Sequence, residues 1–443
     1  MTKNSLAVAI EALSWMAYSG MGERTALFKA AEQLGVAELS DLRRAHWLIM
    51  ETTRFRNRLE HLVSRTVPED EIKRAPHGVT SFLKILAYLK YVDGASDREL
   101  TRAVYWARQV LGWKELHPFE KSAALIVRGA LELYPGELSE SEKLALETCH
   151  PSWLVERLVR IFGRDFALRM LRRNLQSLPT YVRINTLKVR EDNKMRKIMG
   201  DLRGSRVNQL LDVWSLQRAG SRLIRSRLWT SGEIVIQDLG SVTASLVASP
   251  PKGGTVLDIC AAPGNKTSHL AALMQNQGEI VSIDISEKRL AHWKREMIRT
   301  GTSIAFPLRA DAARIPVNRR ADVVLLDPPC SNTGVFARNP SMKWRMTPSR
   351  VRDLTIKQYA FLESASEHVS LNGVLVYCTC SVLPEENEHV LESFLRKRMN
   401  FRVEPQSPFF GSPGLRGLDQ CQRFYSHIHN CNGYFIAKLR RID

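Results

Sequence analysis

Apolar residues recur every three or four positions through the first third of the chain, which is the spacing of an amphipathic helix. Breaks fall at Gly20, Pro68 and Gly94. The pattern predicts helices at 7–18, 25–34, 39–66, 81–92, 98–111 and 118–133. It indicates an independent helical domain over residues 1–145, and a further helical stretch follows at 150–175.

The pattern changes after residue 231, where short apolar runs alternate with helical spacing. Such alternation is typical of a parallel sheet with helices on both faces. Residues 181–188 predict a strand of a small α+β module between the two regions. The predicted strands are 254–259, 279–284, 305–308, 323–326 and 374–377, and the predicted helices are 266–274, 287–300 and 351–369. The expected domains are therefore 1–145, 146–230 and 231–443.

The charge balance indicates a class of binding partner. The 443 residues include 64 Lys+Arg against 46 Asp+Glu, a formal net charge of +18. Such an excess favours a polyanion, most often nucleic acid.

The sequence favours neither a membrane protein nor a metalloprotein. No apolar run reaches the roughly 18 residues of a membrane span, and the start lacks a signal-peptide pattern. Seven cysteines in a chain of this length are too few for a disulfide framework, which favours a cytoplasmic location. Cys378 and Cys380 are too close for the usual zinc spacing, so no metal is expected.

Acidic residues end or follow successive predicted strands, namely Asp258, Asp284, Asp311 and Asp327. At the carboxyl edge of a parallel sheet, Asp284 suits a ribose diol, and Asp311 suits an adenine amino group. The turn at 258–267 does not match the dinucleotide pattern G-x-G-x-x-G. The set fits S-adenosyl-L-methionine, which has a ribose and an adenine and no phosphate.

Two cysteines close short motifs after two predicted strands, Asp327-Pro328-Pro329-Cys330 and Thr379-Cys380-Ser381. Ligands of open α/β sheets sit at the carboxyl ends of the strands. Each thiol alone is more commonly a small buried hydrophobe. Two thiols and an acid at two such ends predict covalent chemistry, of the kind that activates carbon 5 of cytosine by attack of a thiolate at carbon 6.

Together these motifs resemble the RNA cytosine-C5 methyltransferases of the RsmB/Fmu and NOL/NSUN family. The resemblance covers about residues 150–440, and HPSWL at 150–154 is similar to the RsmB branch in particular. Its motifs are DICAAPGNKT (258–267), DPPCS (327–331), TCS (379–381), RINTLK (183–188), QD (237–238) and RNP (338–340). The resemblance implies an N-terminal helical NusB-like RNA-binding domain, a small α+β RNA-binding module and a C-terminal Rossmann-like S-adenosylmethionine-dependent methyltransferase domain.

The resemblance also implies residue roles. Cys380 would be the nucleophile, Cys330 would assist release of the product, and Asp327 would hold the base edge and stabilise protonation of ring nitrogen 3. Lys266 resembles the family lysine near the target base, where it would lower a thiol pKa. A paired base would have to be flipped out or taken from a loop. The residues implied to bind S-adenosyl-L-methionine are Cys260, Ala261, Ala262, Pro263, Gly264, Lys266, Asp284, Arg289, Asp311 and Asp327.

Two residues depart from the family pattern. Asn265 replaces the usual second glycine, and we expect the turn to survive because asparagine tolerates the left-handed conformation. Pro328 replaces a frequent alanine, so 327–329 also resemble an amino-methyltransferase acting on adenine or cytosine, an alternative that leaves Cys380 unexplained.

A second alternative is a non-catalytic RNA-binding assembly factor that retains the fold; the acids and thiols together speak against it.

The RsmB-like architecture favours ribosomal RNA as the substrate, with tRNA as the alternative. Arg338, Lys343, Trp344 and Arg345 follow the Cys330 motif and are candidates to line the RNA path. For Trp344, packing inside the protein is an equally good interpretation.

Overall fold

The computed structural model describes residues 1–129, 131–133, 138–189, 196, 199–200, 204–208, 212–217 and 223–443. They belong to two compact units, Met1–Leu175 with Asn339–Arg345, and Gln176–Arg338 with Met346–Asp443. The domain boundaries expected after residues 145 and 230 stay predictions. Within the described ranges, no helix has both the length and the apolar character needed to cross a bilayer.

Some predicted elements fall partly outside these ranges. The helix predicted at 118–133 includes position 130, which lies outside the described residues. Residues 134–137, directly after this predicted helix, also lie outside them. Parts of the predicted α+β module, including 190–195 and 218–222, also lie outside the described residues.

The first unit is helical, as the apolar spacing predicts. A capping box begins its first helix, where Ser5 N–H donates to Thr2 Oγ1 at 3.1 Å and Thr2 N–H donates to Ser5 Oγ at 3.0 Å. Apolar residues between Leu6 and Ile126, together with Cys149, bury one core. The helices are Lys3–Ser19 (α1), Glu23–Gln33 (α2), Leu39–Arg54 (α3), Arg56–Ser64 (α4), Glu69–Arg74 (α5), His77–Tyr88 (α6), Asp97–Leu111 (α7), Trp113–Leu116 (α8), Glu120–Arg128 (α9), Glu140–Thr148 (α10), Ser152–Phe162 (α11) and Arg164–Arg173 (α12).

The single helix predicted at 39–66 is wrong, because α3 and α4 are separated at Phe55, which has φ −99° and ψ 15°. At this break the carbonyl oxygens of Thr53 and Arg54 accept hydrogen bonds from the side chains of Trp344 and Lys343, both at 2.7 Å. The apolar spacing continues across the break because both helices contribute to the same core.

Residues Asn339–Arg345 fold with the helical unit although they follow the Cys330 motif along the chain. Lys343 is 1% exposed, and its ammonium group also donates to the carbonyl of Cys149. Burial lowers the pKa of Lys343 to about 7. The expectation that Lys343 lines an RNA path is therefore wrong, whereas Trp344 packs within the helical unit, in line with its other interpretation.

The second unit begins with a small antiparallel sheet in the order β2-β3-β1-β4. The predicted strand at 181–188 ends earlier, at Ile184, because the side chain of Asn185 donates to the carbonyls of Gly232 and Thr300 at 2.8 and 2.7 Å. The elements are Thr180–Ile184 (β1), Gly204–Asn208 (β2), Val213–Leu216 (β3), Arg227–Thr230 (α13) and Ile234–Ile236 (β4).

Among the described residues, a nine-stranded sheet forms the rest of this unit. Its order is β11-β12-β13-β9-β8-β5-β6-β7, with β10 paired to β13. Neighbours among β5 to β9 are parallel, and β13 runs antiparallel to β9. The strands are Thr255–Ile259 (β5), Glu279–Asp284 (β6), Ala305–Arg309 (β7), Ala321–Leu326 (β8), Val369–Thr379 (β9), Phe401–Val403 (β10), Ser412–Pro413 (β11), Gln422–Phe424 (β12) and Tyr434–Arg441 (β13). The predicted alternation of strands and helices is confirmed.

Helices pack on both faces of this sheet, because alternate residues of each strand point to opposite sides. Val256 and Val323 share a core with Val242 and Leu270, whereas Leu257 and Val324 share another with helices on the opposite face. The later helices are Leu239–Ala248 (α14), Asn265–Leu273 (α15), Glu287–Thr300 (α16), Ser341–Arg345 (α17, in the helical unit), Pro348–Glu367 (α18), Glu388–Lys397 (α19) and Ser426–His429 (α20).

The chain order reverses at β5, because β6 lies on one side of it and β8 on the other. Ligands of open α/β sheets bind at such a switch point, outside the carboxyl ends of the strands. The fold therefore places the turn after β5 and the loop after β8 where a ligand is expected.

Candidate active site

The loops after β5, β8 and β9 lie at one edge of the sheet, because these strands are parallel. Cys260, Asp327 and Cys380 each stand directly after a strand. The N–H of Asp327 donates to the carbonyl of Ile259 at 3.2 Å, which joins the first two loops.

The two motif cysteines face each other. The Sγ atoms of Cys330 and Cys380 lie 3.1 Å apart, compared with about 2.05 Å in a disulfide bond. Cys380 Sγ also lies 3.1 Å from Oδ1 of Asn332, which can accept its proton in a hydrogen bond. Cys330 is 8% exposed and Cys380 is half-buried, so Cys380 is the more accessible thiol.

The two thiols are electrostatically unequal. The hydrogen bond with Cys380 raises the pKa of Cys330 well above its usual range, and burial and the charges of Cys380 and Glu386 raise it further. Cys330 therefore keeps its proton at neutral pH. A protonated Cys330 can donate to Cys380, and hydrogen bonds to an ionised acceptor are the stronger ones.

Close backbone contacts support Cys380. The N–H of Gly334 donates to the carbonyl of Cys380 at 2.9 Å, and the N–H of Gly433 donates to the carbonyl of Gly334 at 2.8 Å. A Cβ atom on Gly334 would lie 2.2 Å from the carbonyl oxygen of Gly433. Only glycine permits this approach.

Lys266 and Asp327 form an ion pair, with 2.6 Å between Nζ and Oδ2. Lys266 Nζ also lies 5.6 Å from the centre of the Tyr434 ring. Burial lowers the pKa of Lys266, but the charge and hydrogen bond of Asp327 outweigh it, so the net pKa is raised. The lysine is therefore charged at neutral pH.

The turn between β5 and α15 depends on Gly264, which has φ +109°. A Cβ atom there would lie 2.7 Å from Cε of Met297. Asn265 is the first residue of α15, and its side chain donates to the carbonyl of Ile236 at 3.3 Å. The turn forms with Asn265 in place of the usual glycine, and Gly264 and not Asn265 takes the left-handed conformation.

The other residues of this turn differ in exposure. Cys260 also has a positive φ, +63°, and burial raises the pKa of its thiol. Ala261 and Ala262 are buried, whereas Pro263 is exposed. The turn thus presents small side chains at the switch point of the sheet.

Asp284 ends β6 and is 2% exposed. Its Oδ2 accepts the N–H of Ala262 at 3.3 Å, and its Oδ1 accepts the N–H of Ser286 at 3.0 Å. Arg289 Nη2 lies 3.3 Å from Oδ2 and donates to the carbonyl of Ala262. The structure thus brings Ala262, Asp284 and Arg289 together. A carboxylate has about four acceptor positions, so Asp284 retains capacity for further donors.

The remaining two acids occupy different surroundings. Asp258 lies inside β5, is 1% exposed and accepts the hydroxyl of Thr267 at 2.6 Å. Burial raises its pKa to about 7, although the Thr267 bond lowers it. The prediction that Asp258 ends its strand is wrong; it ties β5 to α15. Asp311 is exposed, and its Oδ1 accepts the N–H of Ala313 at 3.0 Å.

Glu386 is a residue of this site that the sequence does not predict. This residue is completely buried, and its carboxylate accepts hydrogen bonds from Ser331, Ser381 and Gln358. Two glutamates follow the Cys380 motif, Glu385 and Glu386, and no spacing rule indicates which one turns inward.

Known protein families match much of the chain from residue 150 onward. A model of the 16S rRNA methyltransferase RsmB/F family matches residues 245–440. A model of the ferredoxin-like domain of RsmF/B-like methyltransferases matches residues 150–201. The predicted fold class, with a helical N-terminal region, a small α+β part and a Rossmann-like sheet, is confirmed.

Individual relatives match different shares of the chain. A tRNA (cytosine(72)-C(5))-methyltransferase of Pyrococcus horikoshii is 37% identical over 217 residues, 49% of this chain and 54% of the relative. The probable ribosomal RNA small subunit methyltransferase B of Bacillus subtilis is 27% identical over 376 residues, 82% of this chain and 83% of the relative. The crystal structure of PH0851 matches with a TM-score of 0.82 at 26% identity, over 100% of this chain and 99% of that chain. The chain spans 39% to 54% of the length of three curated relatives.

Proposed function

Because this chain belongs to the RsmB/F family of RNA methyltransferases, we propose that it transfers a methyl group from S-adenosyl-L-methionine to carbon 5 of a cytosine in RNA. The observation that carries the proposal is the distance of 3.1 Å between the sulfur atoms of Cys330 and Cys380. This reaction uses one thiol to attack the ring and a second group to assist release. Methylation of an exocyclic amino group needs neither thiol.

Cys380 is the proposed nucleophile because it is the more exposed thiol and has Cys330 as a hydrogen-bond partner. Its thiolate forms a bond to ring carbon 6, and the electron pair of the ring double bond makes carbon 5 nucleophilic. Carbon 5 then bonds to a methyl carbon, which S-adenosyl-L-methionine would supply; the bond from that carbon to the sulfonium sulfur would break, and S-adenosyl-L-homocysteine would leave. A base then removes the proton of carbon 5, the double bond re-forms, and the bond from carbon 6 to Cys380 breaks. Cys330 assists this release.

Asp327 and Lys266 are proposed to act on the ring. Asp327 binds the base edge and stabilises protonation of nitrogen 3, which draws electrons away from carbon 6. Lys266 fixes the Asp327 carboxylate at 2.6 Å and adds a positive charge that favours a nearby thiolate.

The methyl donor is proposed to lie against the turn after β5. Asp284 has acceptor capacity left for a ribose diol, and Arg289 fixes its orientation. The small side chain of Ala262 lies in the turn that leads into the N-terminus of α15. Asp311 stays the candidate for the adenine amino group.

We propose ribosomal RNA as the substrate, because the Bacillus subtilis relative that matches over most of both chains is named a ribosomal RNA methyltransferase. The second candidate is tRNA, because the Pyrococcus horikoshii relative at 37% identity is named a tRNA methyltransferase. The net charge of +18 suits either polyanion and does not distinguish them.

The test is methyl transfer from labelled S-adenosyl-L-methionine to ribosomal RNA and, separately, to tRNA from cells that lack the gene. Nuclease digestion and mass spectrometry then identify the product nucleoside. We expect 5-methylcytosine in the ribosomal pool, and bisulfite sequencing locates the position. 5-Methylcytosine in tRNA alone would support the second candidate, and a methylated amino group would contradict the proposed chemistry. Cys421→Ala, which changes a buried cysteine outside the site, serves as the control.

A further inference from the structure

The carboxylate of Glu386 joins the two cysteine motifs from inside the protein. Oε1 accepts the N–H of Ser331 at 2.8 Å and the side-chain amide of Gln358 at 2.9 Å. Oε2 accepts the hydroxyls of Ser331 and Ser381. Ser331 follows Cys330, and Ser381 follows Cys380. One side chain is therefore bonded to the residue next to each thiol.

These hydrogen-bond donors are all neutral. Among the described residues, Ser331, Ser381 and Gln358 supply the hydrogen bonds to this carboxylate, and none of them carries a positive charge. Burying a carboxylate without a cation costs free energy, which charge-assisted hydrogen bonds offset.

The charge acts on Cys330. The hydrogen bond with Cys380 and burial raise the pKa of Cys330, and the negative charge of Glu386 raises it further. Tyr377 also contacts Glu386, because its hydroxyl donates to the backbone carbonyl of Glu386 at 2.6 Å. Glu386 thus favours the protonated form of Cys330.

We propose that Glu386 is a positioning residue that holds both sulfur atoms against one cytosine ring and assigns the proton to Cys330. This inference rests on the proposed function, in which Cys380 attacks a cytosine ring and Cys330 assists its release. A displacement of about 1 Å among such groups costs about 10²-fold in rate. A link between the two motifs therefore bears directly on turnover.

The first test does not use methyl transfer. Alkylation of Cys330 by iodoacetamide is followed against pH, and mass spectrometry quantifies the modified peptide. The thiolate is the reacting form, and removing a negative charge stabilises it. We expect the pH at which the alkylation rate of Cys330 reaches half of its maximum, the alkylation midpoint, to be lower in Glu386→Gln than in the wild type. Glu385→Gln, a change of the neighbouring carboxylate in the same turn, is expected to leave the midpoint unchanged.

The second test measures turnover. Glu386→Gln removes the charge, and Glu386→Asp keeps the charge but shortens the reach. Both are expected to lower kcat about 10²-fold, with little change in KM for S-adenosyl-L-methionine, because Asp284 is not altered. Only Glu386→Gln is expected to move the alkylation midpoint strongly.

If Glu386→Gln unfolds the protein, Ser331→Ala and Ser381→Ala each remove one hydroxyl bond to the same carboxylate and are expected to lower kcat severalfold. Wild-type kcat and an unmoved alkylation midpoint in Glu386→Gln would overturn the proposal. A wild-type protein that methylates no RNA would refute the proposed function instead, while the alkylation profile would still decide whether Glu386 controls the Cys330 proton.

Discussion

The ammonium group of Lys266 lies 2.6 Å from a carboxylate oxygen of Asp327, which joins the start of α15 to the loop that carries Cys330. The two residues stand 61 positions apart in the chain. In the proposed reaction the pair binds the base and places a positive charge near the thiols. The two side chains should therefore behave as one functional group.

Lys266→Met is expected to lower the single-turnover rate of methyl transfer about 10²-fold or more, because the base edge loses its fixed carboxylate and the thiols lose a neighbouring cation. Asp327→Asn should cause a loss of similar size. The double variant should be little worse than either single variant, since residues that act as a unit give non-additive losses. Fully additive losses would show that the two side chains act separately.

Substitutions of the two cysteines are expected to block the reaction at different steps. Cys380→Ala should give no product and no covalent RNA complex, because nothing attacks carbon 6. Cys330→Ala should accumulate an RNA complex that survives denaturing electrophoresis, because attack proceeds and release does not. Cys330→Ala combined with Cys380→Ala should lose that complex. If the complex persists in the double variant, Cys380 is not the attacking thiol.

Donor binding provides a separate prediction for Asp284. Asp284→Asn should weaken the Kd for S-adenosyl-L-methionine about 10- to 100-fold, since a hydrogen bond to a charged group contributes about 1.5–3 kcal/mol. Asp311→Asn should weaken it less, because Asp311 is exposed and caps its own turn. Isothermal titration calorimetry measures both. An unchanged Kd in Asp284→Asn would exclude it from the donor site.

The regular part of the fold was predictable from local pattern. Buried parallel strands leave continuous apolar runs, and helices that cover them leave apolar residues at three- and four-residue spacing. The motif that ends at Cys330 and the one around Cys380 were predictable as a pair because both follow such runs. Family resemblance, and not spacing, assigned the attacking role to Cys380.

The features that escaped prediction depend on contacts between distant residues. Glu386 reaches Ser331 across 55 positions, and Lys343 reaches the carbonyl of Arg54 across 289. The short strands β10 to β12 have only two or three residues each, too few to show alternation. Asp258 looks like a site acid in the sequence because nothing local reveals its bond to Thr267.

Lys343 is a buried cation whose energetics depend on pH. Burial lowers its pKa to about 7 in the folded protein, whereas an unfolded lysine titrates near 10.4. Between about pH 7 and pH 10, the unfolded chain binds a proton that the folded chain lacks. The free energy of unfolding therefore rises with pH in this window, and below it this residue adds no further pH dependence.

Lys343→Met removes this titration and also leaves the carbonyls of Arg54 and Cys149 without their donor. We expect the variant to be less stable, by about 1–3 kcal/mol for an unpaired buried acceptor. The difference from the wild type should widen between pH 7 and pH 10, by at most about 1.4 kcal/mol per pH unit. Urea unfolding at a series of pH values measures the difference, with the exposed Lys114→Met as the control. A difference that stays constant over this window would mean that Lys343 keeps its proton in the folded protein.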